Sequence, residues 1–114
     1  MRIVDLEAIT TAPILDYEST AAASASIGHG GGKGHIHWLS FEAGGAIGPH
    51  PAGFAQLLIP LVGSGWAAGP DGVRQPISRG RAAFIALGEV HSKGSEGGMK
   101  ALMIQLSRFA IELP

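Results

Sequence analysis

The density of glycine and proline constrains the fold of this chain more than any other feature of its sequence. The 114 residues include 18 glycines and 7 prolines. In a helix interior, glycine and proline cost about 1 and about 3 kcal/mol relative to alanine, so a helical bundle fits poorly. The composition favours a β-rich domain with many short strands. A chain of this length has room for one hydrophobic core, so we expect residues 1–114 to form a single domain.

Alternating or fully apolar segments predict a series of strands after residue 34. His35, His37, Leu39 and Phe41 would share one face of the first strand. Further apolar or alternating runs end at turns and cover residues 54–62, 73–77, 82–87, 101–106 and 109–113. About eight short strands without a convincing helix are typical of a sandwich or a jelly roll. Residues 19–34 are of low complexity, which indicates a loop or a weak edge strand, and we prefer a flexible loop.

Charge and composition exclude several classes of function. The net charge is −1 and the eight Lys and Arg residues are dispersed, so we expect no nucleic-acid partner. No apolar run is long enough to cross a bilayer. Residues 2–7 carry acids where a secretory signal needs an apolar run, so we expect a cytoplasmic location. Because the chain has no cysteine, a metal would need histidine, carboxylate or amide ligands.

His50 lies in a sequence context that resembles the first conserved motif of the cupin superfamily. That motif places a glycine, two histidines, a glutamate and a second glycine at fixed intervals. The corresponding positions here hold Gly44, His50, Ala52, Gln56 and Gly63. The spacing is kept at every step, but alanine replaces the second histidine and glutamine replaces the glutamate.

His91 lies in a context that resembles the second cupin motif. The motif consists of a glycine, a proline, a glycine, a histidine and an asparagine, and this chain has Gly80, Ala86, Gly88, His91 and Ser95 at the same spacing. The two motifs, in the expected order, extend the resemblance over about residues 35–107. The resemblance implies an all-β fold of the cupin type, a double-stranded β-helix or jelly-roll barrel.

The resemblance also implies that His50, Ala52, Gln56 and His91 occupy the positions at which the family holds a divalent metal. Ala52 has no donor atom, and Gln56 offers only a neutral carbonyl oxygen, a poorer ligand than a carboxylate for a hard cation. His50, His91 and Gln56 are therefore the candidate metal ligands. Either the metal site has decayed, or another residue completes it.

His37 is the candidate for the completing imidazole. If Leu39 and Phe41 face the barrel interior, His35 and His37 do so as well, because residues two apart in a strand share a face. Three imidazoles would then be available. The alternative is that His35 and His37 lie at the exposed end of their strand, beside the glycine-rich segment.

Two hypotheses about function follow from the resemblance. The first is a metal-dependent protein in which Fe, Mn, Zn, Ni or Cu acts as a Lewis acid or activates O₂, giving dioxygenase-like or isomerase-like chemistry on a small molecule. The second is a metal-free, non-catalytic module that binds a small molecule. In both, Phe54, Phe84 and Met103 are candidates to line or fill the ligand pocket. The resemblance further implies a homodimer, because small cupins commonly pair through sheet faces or exchanged terminal strands.

Overall fold

A computed structural model describes residues 1–113 and shows an all-β fold, as the sequence predicts. The described residues contain one helical turn, a 3-10 turn at Leu6–Ala8, and no helix that is long and apolar enough to cross a membrane. The strands are β1 (Arg2–Asp5), β2 (Ala12–Pro13), β3 (Ala23–Ser24), β4 (Gly28–Phe41), β5 (Ala46–Pro51), β6 (Ala55–Ala68), β7 (Arg74–Ser78), β8 (Arg81–Ile85), β9 (Val90–Gly94) and β10 (Met99–Ile111).

Eight of these strands form one antiparallel sheet. Its main path runs β1-β8-β7-β6-β10-β4, while β9 pairs with β6 and carries β5. The remaining strands, β2 and β3, pair only with each other. Within residues 1–113 no ladder joins β4 to β5, so hydrogen bonds do not close the sheet into a complete barrel. The fold class is the predicted one, but β4 and β5 remain edge strands.

The long strand β6 separates two hydrophobic clusters because its successive side chains point to opposite faces. Leu58 belongs to a cluster with Phe41 and Met103, which occupies the inner face of the sheet. The adjacent Leu57 belongs to a second cluster, with Val4, that also packs the C-terminal part of β10. Functional side chains that share a face with Leu58 therefore lie inside the fold.

The glycine-rich residues 28–34 form the first half of strand β4 and pair with residues 106–111 of β10. A Cβ atom on Gly28 or Gly30 would collide with the carbonyl oxygen of Ala110 or Arg108, so glycine permits the close approach of the two backbones. For these residues the preferred flexible loop is wrong and the edge strand is right. The interpretation failed because a ladder is held by backbone hydrogen bonds and does not require bulky side chains.

Candidate functional site

His50 and His91 meet across the pairing of β5 with β9. The two residues lie directly opposite each other in this antiparallel ladder, and their ring centroids are 4.4 Å apart at an interplanar angle of 54°. His50 is exposed, whereas His91 retains only 1% of its accessible surface. The structure therefore brings together the two histidines that the motifs predict, with His50 on the solvent side of His91.

Backbone carbonyls orient both rings. His50 Nδ1 lies 2.8 Å from the carbonyl oxygen of Gly48, and His91 Nδ1 lies 3.3 Å from that of Glu89. Because a carbonyl oxygen only accepts, each Nδ1 carries the donated proton and each neutral ring keeps its lone pair on Nε2. His91 Nε2 is buried and has no hydrogen-bond partner. The site thus contains a buried acceptor without a donor.

A buried lysine, which the motif analysis missed, lies beside these histidines. Lys93 is only 2% exposed, and its Nζ donates a hydrogen bond to Gln56 Oε1 at 2.6 Å and lies 3.4 Å from Met103 Sδ. Lys93 follows His91 by two residues in β9, so the two side chains share a face of the strand. The two-residue spacing between His91 and Lys93 is the feature of the sequence that could have predicted this position for the lysine.

Gln56 is the residue that connects Lys93 to the first motif. It lies in β6 on the same face as Leu58, and it is 2% exposed. Its Oε1 accepts from Lys93, and its Nε2 is 3.5 Å from the carbonyl oxygen of Phe54. The side-chain oxygen at the position of the family's glutamate is therefore already engaged by a protein cation.

Burial and mutual repulsion shift the protonation equilibria of this site. Burial lowers the pKa of Lys93 to about 8. Burial is also the largest cause that lowers the pKa of His91 to about 4, and the charges of Lys93 and His50 lower it further. Hydrogen bonding to the backbone of Glu89 and of His50 opposes this shift. At neutral pH the site therefore combines a buried ammonium group with a neutral His91.

His37 does not join His50 and His91. Its ring stacks on that of His35 with a centroid separation of 5.8 Å, and both side chains are exposed. In residues 1–113 no three histidine or acidic side chains converge closely enough to hold a metal ion. His37 lies opposite Met103 in the pairing of β4 with β10, so it shares the inner face with Leu39 and Phe41, as the alternation predicts. Its side chain is nevertheless exposed. Strand β4 is an edge strand, and β5 does not pair with it to cover this face.

The three predicted pocket residues occupy different places. Met103 lies in the inner cluster and contacts Lys93. Phe54 is half-buried and packs edge-on against His35, with 5.2 Å between ring centroids. Phe84 lies on the opposite face of the sheet, in the second cluster, where it packs edge-on against Phe109. Met103 thus contacts the buried site through its side chain, and Phe54 does so through its backbone carbonyl oxygen.

One sizeable cavity of the fold lies away from the histidines. It has a volume of about 670 Å³ and is bounded by β1, the segments 8–12 and 24–26, and residues 112–113. Its lining does not include His50, Gln56, His91 or Lys93. We therefore identify the candidate site by its chemistry rather than by cavity size.

The residues present do not fit the divalent metal that the resemblance implies. A protein metal site for Zn or a related ion supplies three or more donors. Here position 52 holds a buried alanine and the oxygen of Gln56 accepts from Lys93, which leaves the Nε2 atoms of His50 and His91. A divalent cation would also be repelled by the ammonium group of Lys93 in a medium of low dielectric constant.

Comparisons with known proteins bear on the fold. No protein-family model matches the chain, and a search of curated proteins finds no match. Solved structures do match. An RmlC-like cupin with a double-stranded β-helix fold from Methanocaldococcus jannaschii aligns with a TM-score of 0.60 at 9% identity, over 86% of this chain and 89% of that one.

Two further solved structures align with similar quality. A cupin 2 conserved barrel domain protein from Salinispora arenicola has a TM-score of 0.57 and 17% identity, over 64% of this chain and 62% of that one. A predicted oxalate decarboxylase from Thermotoga maritima has a TM-score of 0.57 and 24% identity, over 62% of this chain and 64% of that one. The chain thus spans less than two thirds of these two proteins. The resemblance seen in the two motifs is confirmed for the fold, and this chain has the double-stranded β-helix fold of the cupin superfamily.

Proposed function

We propose that this chain is a cupin that binds a small molecule without a divalent metal. The observation that carries the proposal is the hydrogen bond from Lys93 Nζ to Gln56 Oε1, at 2.6 Å in the interior of the fold. The ammonium group supplies a fixed positive charge beside His91, where the resemblance would otherwise place a metal cation. The exposed His50 ring adjoins this buried group, so the site lies next to the surface.

The metal-dependent hypothesis draws on a different observation. One structural neighbour is described as a predicted oxalate decarboxylase. Transfer of a metal-dependent reaction to this chain would require a donor set that Ala52, Gln56 and Lys93 do not supply. The metal-free binding module is therefore the better supported of the two hypotheses.

Metal analysis of the untagged protein tests the proposal. We expect Fe, Mn, Zn, Ni and Cu all to remain well below one ion per chain, both after purification and after incubation with each divalent ion followed by dialysis. The double variant His50→Ala/His91→Ala provides the matched background for nonspecific binding. One tightly bound ion per chain in the wild type that disappears in the double variant would refute the proposal.

We also propose that two copies of this chain associate through the outer face of β4. Ile36 and Trp38 lie side by side on that face and are 73% and 55% exposed, which is unusual for large apolar side chains on an edge strand. We expect the wild type to sediment as a dimer and Trp38→Ser to shift the equilibrium toward the monomer. A wild type that remains monomeric at high protein concentration would contradict this proposal.

A further inference from the structure

The ammonium group of Lys93 has no counter-charge in the part of the chain that the structure describes. Its two contacts are a neutral amide oxygen and a thioether sulfur. Glu89 pairs with the N-terminal amine and Glu112 pairs with His29, so neither of these carboxylates is the partner of Lys93. Buried charges in proteins are generally paired, since an isolated ion loses its hydration without compensation. The pairing group is therefore expected to come from outside the chain.

A second unsatisfied group lies on the same strand face. His91 Nε2 is buried, accepts no hydrogen bond, and belongs to a ring whose Nδ1 is already held by the carbonyl oxygen of Glu89. A buried acceptor of this kind is normally satisfied by a donor. Lys93 and His91 are two residues apart in β9, so the two unsatisfied groups lie on the same face of the strand.

The missing counter-charge of Lys93 and the missing donor for His91 Nε2 define the chemistry of the ligand. We propose that the site binds a small 2-hydroxycarboxylate, with the carboxylate on the ammonium group of Lys93 and the hydroxyl group donating to Nε2 of His91. This assignment rests on the proposed function, because it requires that the site contain no metal. It names the class of the small molecule and assigns Lys93 as its anchoring residue.

The exposed ring of His50 gives such a ligand a route to the buried groups. His50 packs against His91 with 4.4 Å between ring centroids, and its Nδ1 is held only by the carbonyl oxygen of Gly48. Rotation of an exposed side chain is fast and costs little. We propose that the ligand reaches His91 and Lys93 when the ring of His50 turns aside.

Titration calorimetry with glycolate, acetate and glycolamide tests the assignment on the full chain. Glycolate carries both groups, acetate lacks the hydroxyl group, and glycolamide lacks the charge. We expect glycolate to bind more tightly than either of the others. Lys93→Met should weaken glycolate binding by at least about tenfold, because a charge-assisted hydrogen bond is lost. Lys100→Met, which removes an exposed lysine from β10, should leave it unchanged.

The role of His91 is tested by the difference between glycolate and acetate. In His91→Phe, glycolate and acetate should bind with equal affinity, since the acceptor for the hydroxyl group is gone. His91→Leu, which also lacks an acceptor, serves as a second variant if the phenylalanine disturbs folding, which circular dichroism would reveal. Nitrogen NMR of the wild type should show the His91 Nε2 resonance shift with saturating glycolate and not with saturating acetate, which lacks the hydroxyl group.

Three results would overturn the assignment, and the first two concern glycolate alone. One is the absence of glycolate binding to metal-free wild type, and the other is glycolate binding that is equally strong in Lys93→Met. These failures differ from failure of the proposed function, which would appear as a stoichiometric metal ion in the wild type. Metal-free protein that binds glycolamide as well as glycolate would retain the metal-independent function and reject the carboxylate as its ligand.

Discussion

Lys93→Glu should convert this site into one that binds a divalent metal, with an affinity for Zn²⁺ or Fe²⁺ at least about 100-fold above that of the wild type. The substitution removes the cation and places a carboxylate two residues after His91, on the same strand face. Together with the Nε2 atoms of His50 and His91, the new carboxylate completes a set of two histidines and one acid. It also releases Gln56 Oε1 from its bond with Lys93.

Matched variants separate the two effects of that substitution. Lys93→Met removes the charge without adding a ligand, so we expect a much smaller gain in metal affinity than in Lys93→Glu. Lys93→Glu combined with His91→Ala should return the affinity to the background of the wild type. Competition titration with a metal-sensitive dye measures all four proteins. A wild type that binds as tightly as Lys93→Glu would show that the ammonium group is no obstacle to a metal.

Lys93→Met should stabilise the fold at neutral pH, because removal of a buried charge that costs about 3 kcal/mol outweighs loss of the hydrogen bond to Gln56 Oε1, worth about 1 kcal/mol. The pKa of Lys93 is lowered from 10.5 to about 8, so the folded state disfavours the ammonium form. This cost is fully present below pH about 8 and is relieved as the pH rises from about 8 toward 10.5. The wild type should therefore approach the stability of Lys93→Met in alkaline solution.

Urea denaturation of both proteins between neutral and alkaline pH measures this difference. Lys100→Met is the control, because Lys100 is exposed and should show no such pH dependence. A bound anion would supply the missing counter-charge, so the measurements must be made in buffers without carboxylates. A difference between wild type and Lys93→Met that is independent of pH would contradict the assignment of the alkaline effect to Lys93.

The same variant should alter the acidic side of the stability profile. The pKa of His91 is lowered from 6.5 to about 4, so the unfolded chain takes up a proton at a higher pH than the folded protein does. The free energy of unfolding therefore decreases as the pH falls from 6.5 through about 4. The charge of Lys93 is the second cause of that shift, after burial. Its removal should therefore make the acidic loss of stability shallower.

The sequence by itself predicted the all-β class, because turn density and strand periodicity are local properties of the chain. The cupin fold was implied by the resemblance of the sequence around His50 and His91 to two known motifs. The sequence also predicted that Ala52 and Gln56 would weaken any metal site, since the available donors follow from residue type alone.

Only the tertiary structure decided what replaces the missing ligands. Periodicity places Lys93 on the same face as His91, but the contact with Gln56 joins residues 37 positions apart and depends on how β9 and β5 pack against β6 and β10. The same long-range pairing left His37 exposed on the edge strand β4 and away from His50. Side-chain alternation fixes relations within a strand, whereas strand order and register determine which residues meet across the fold.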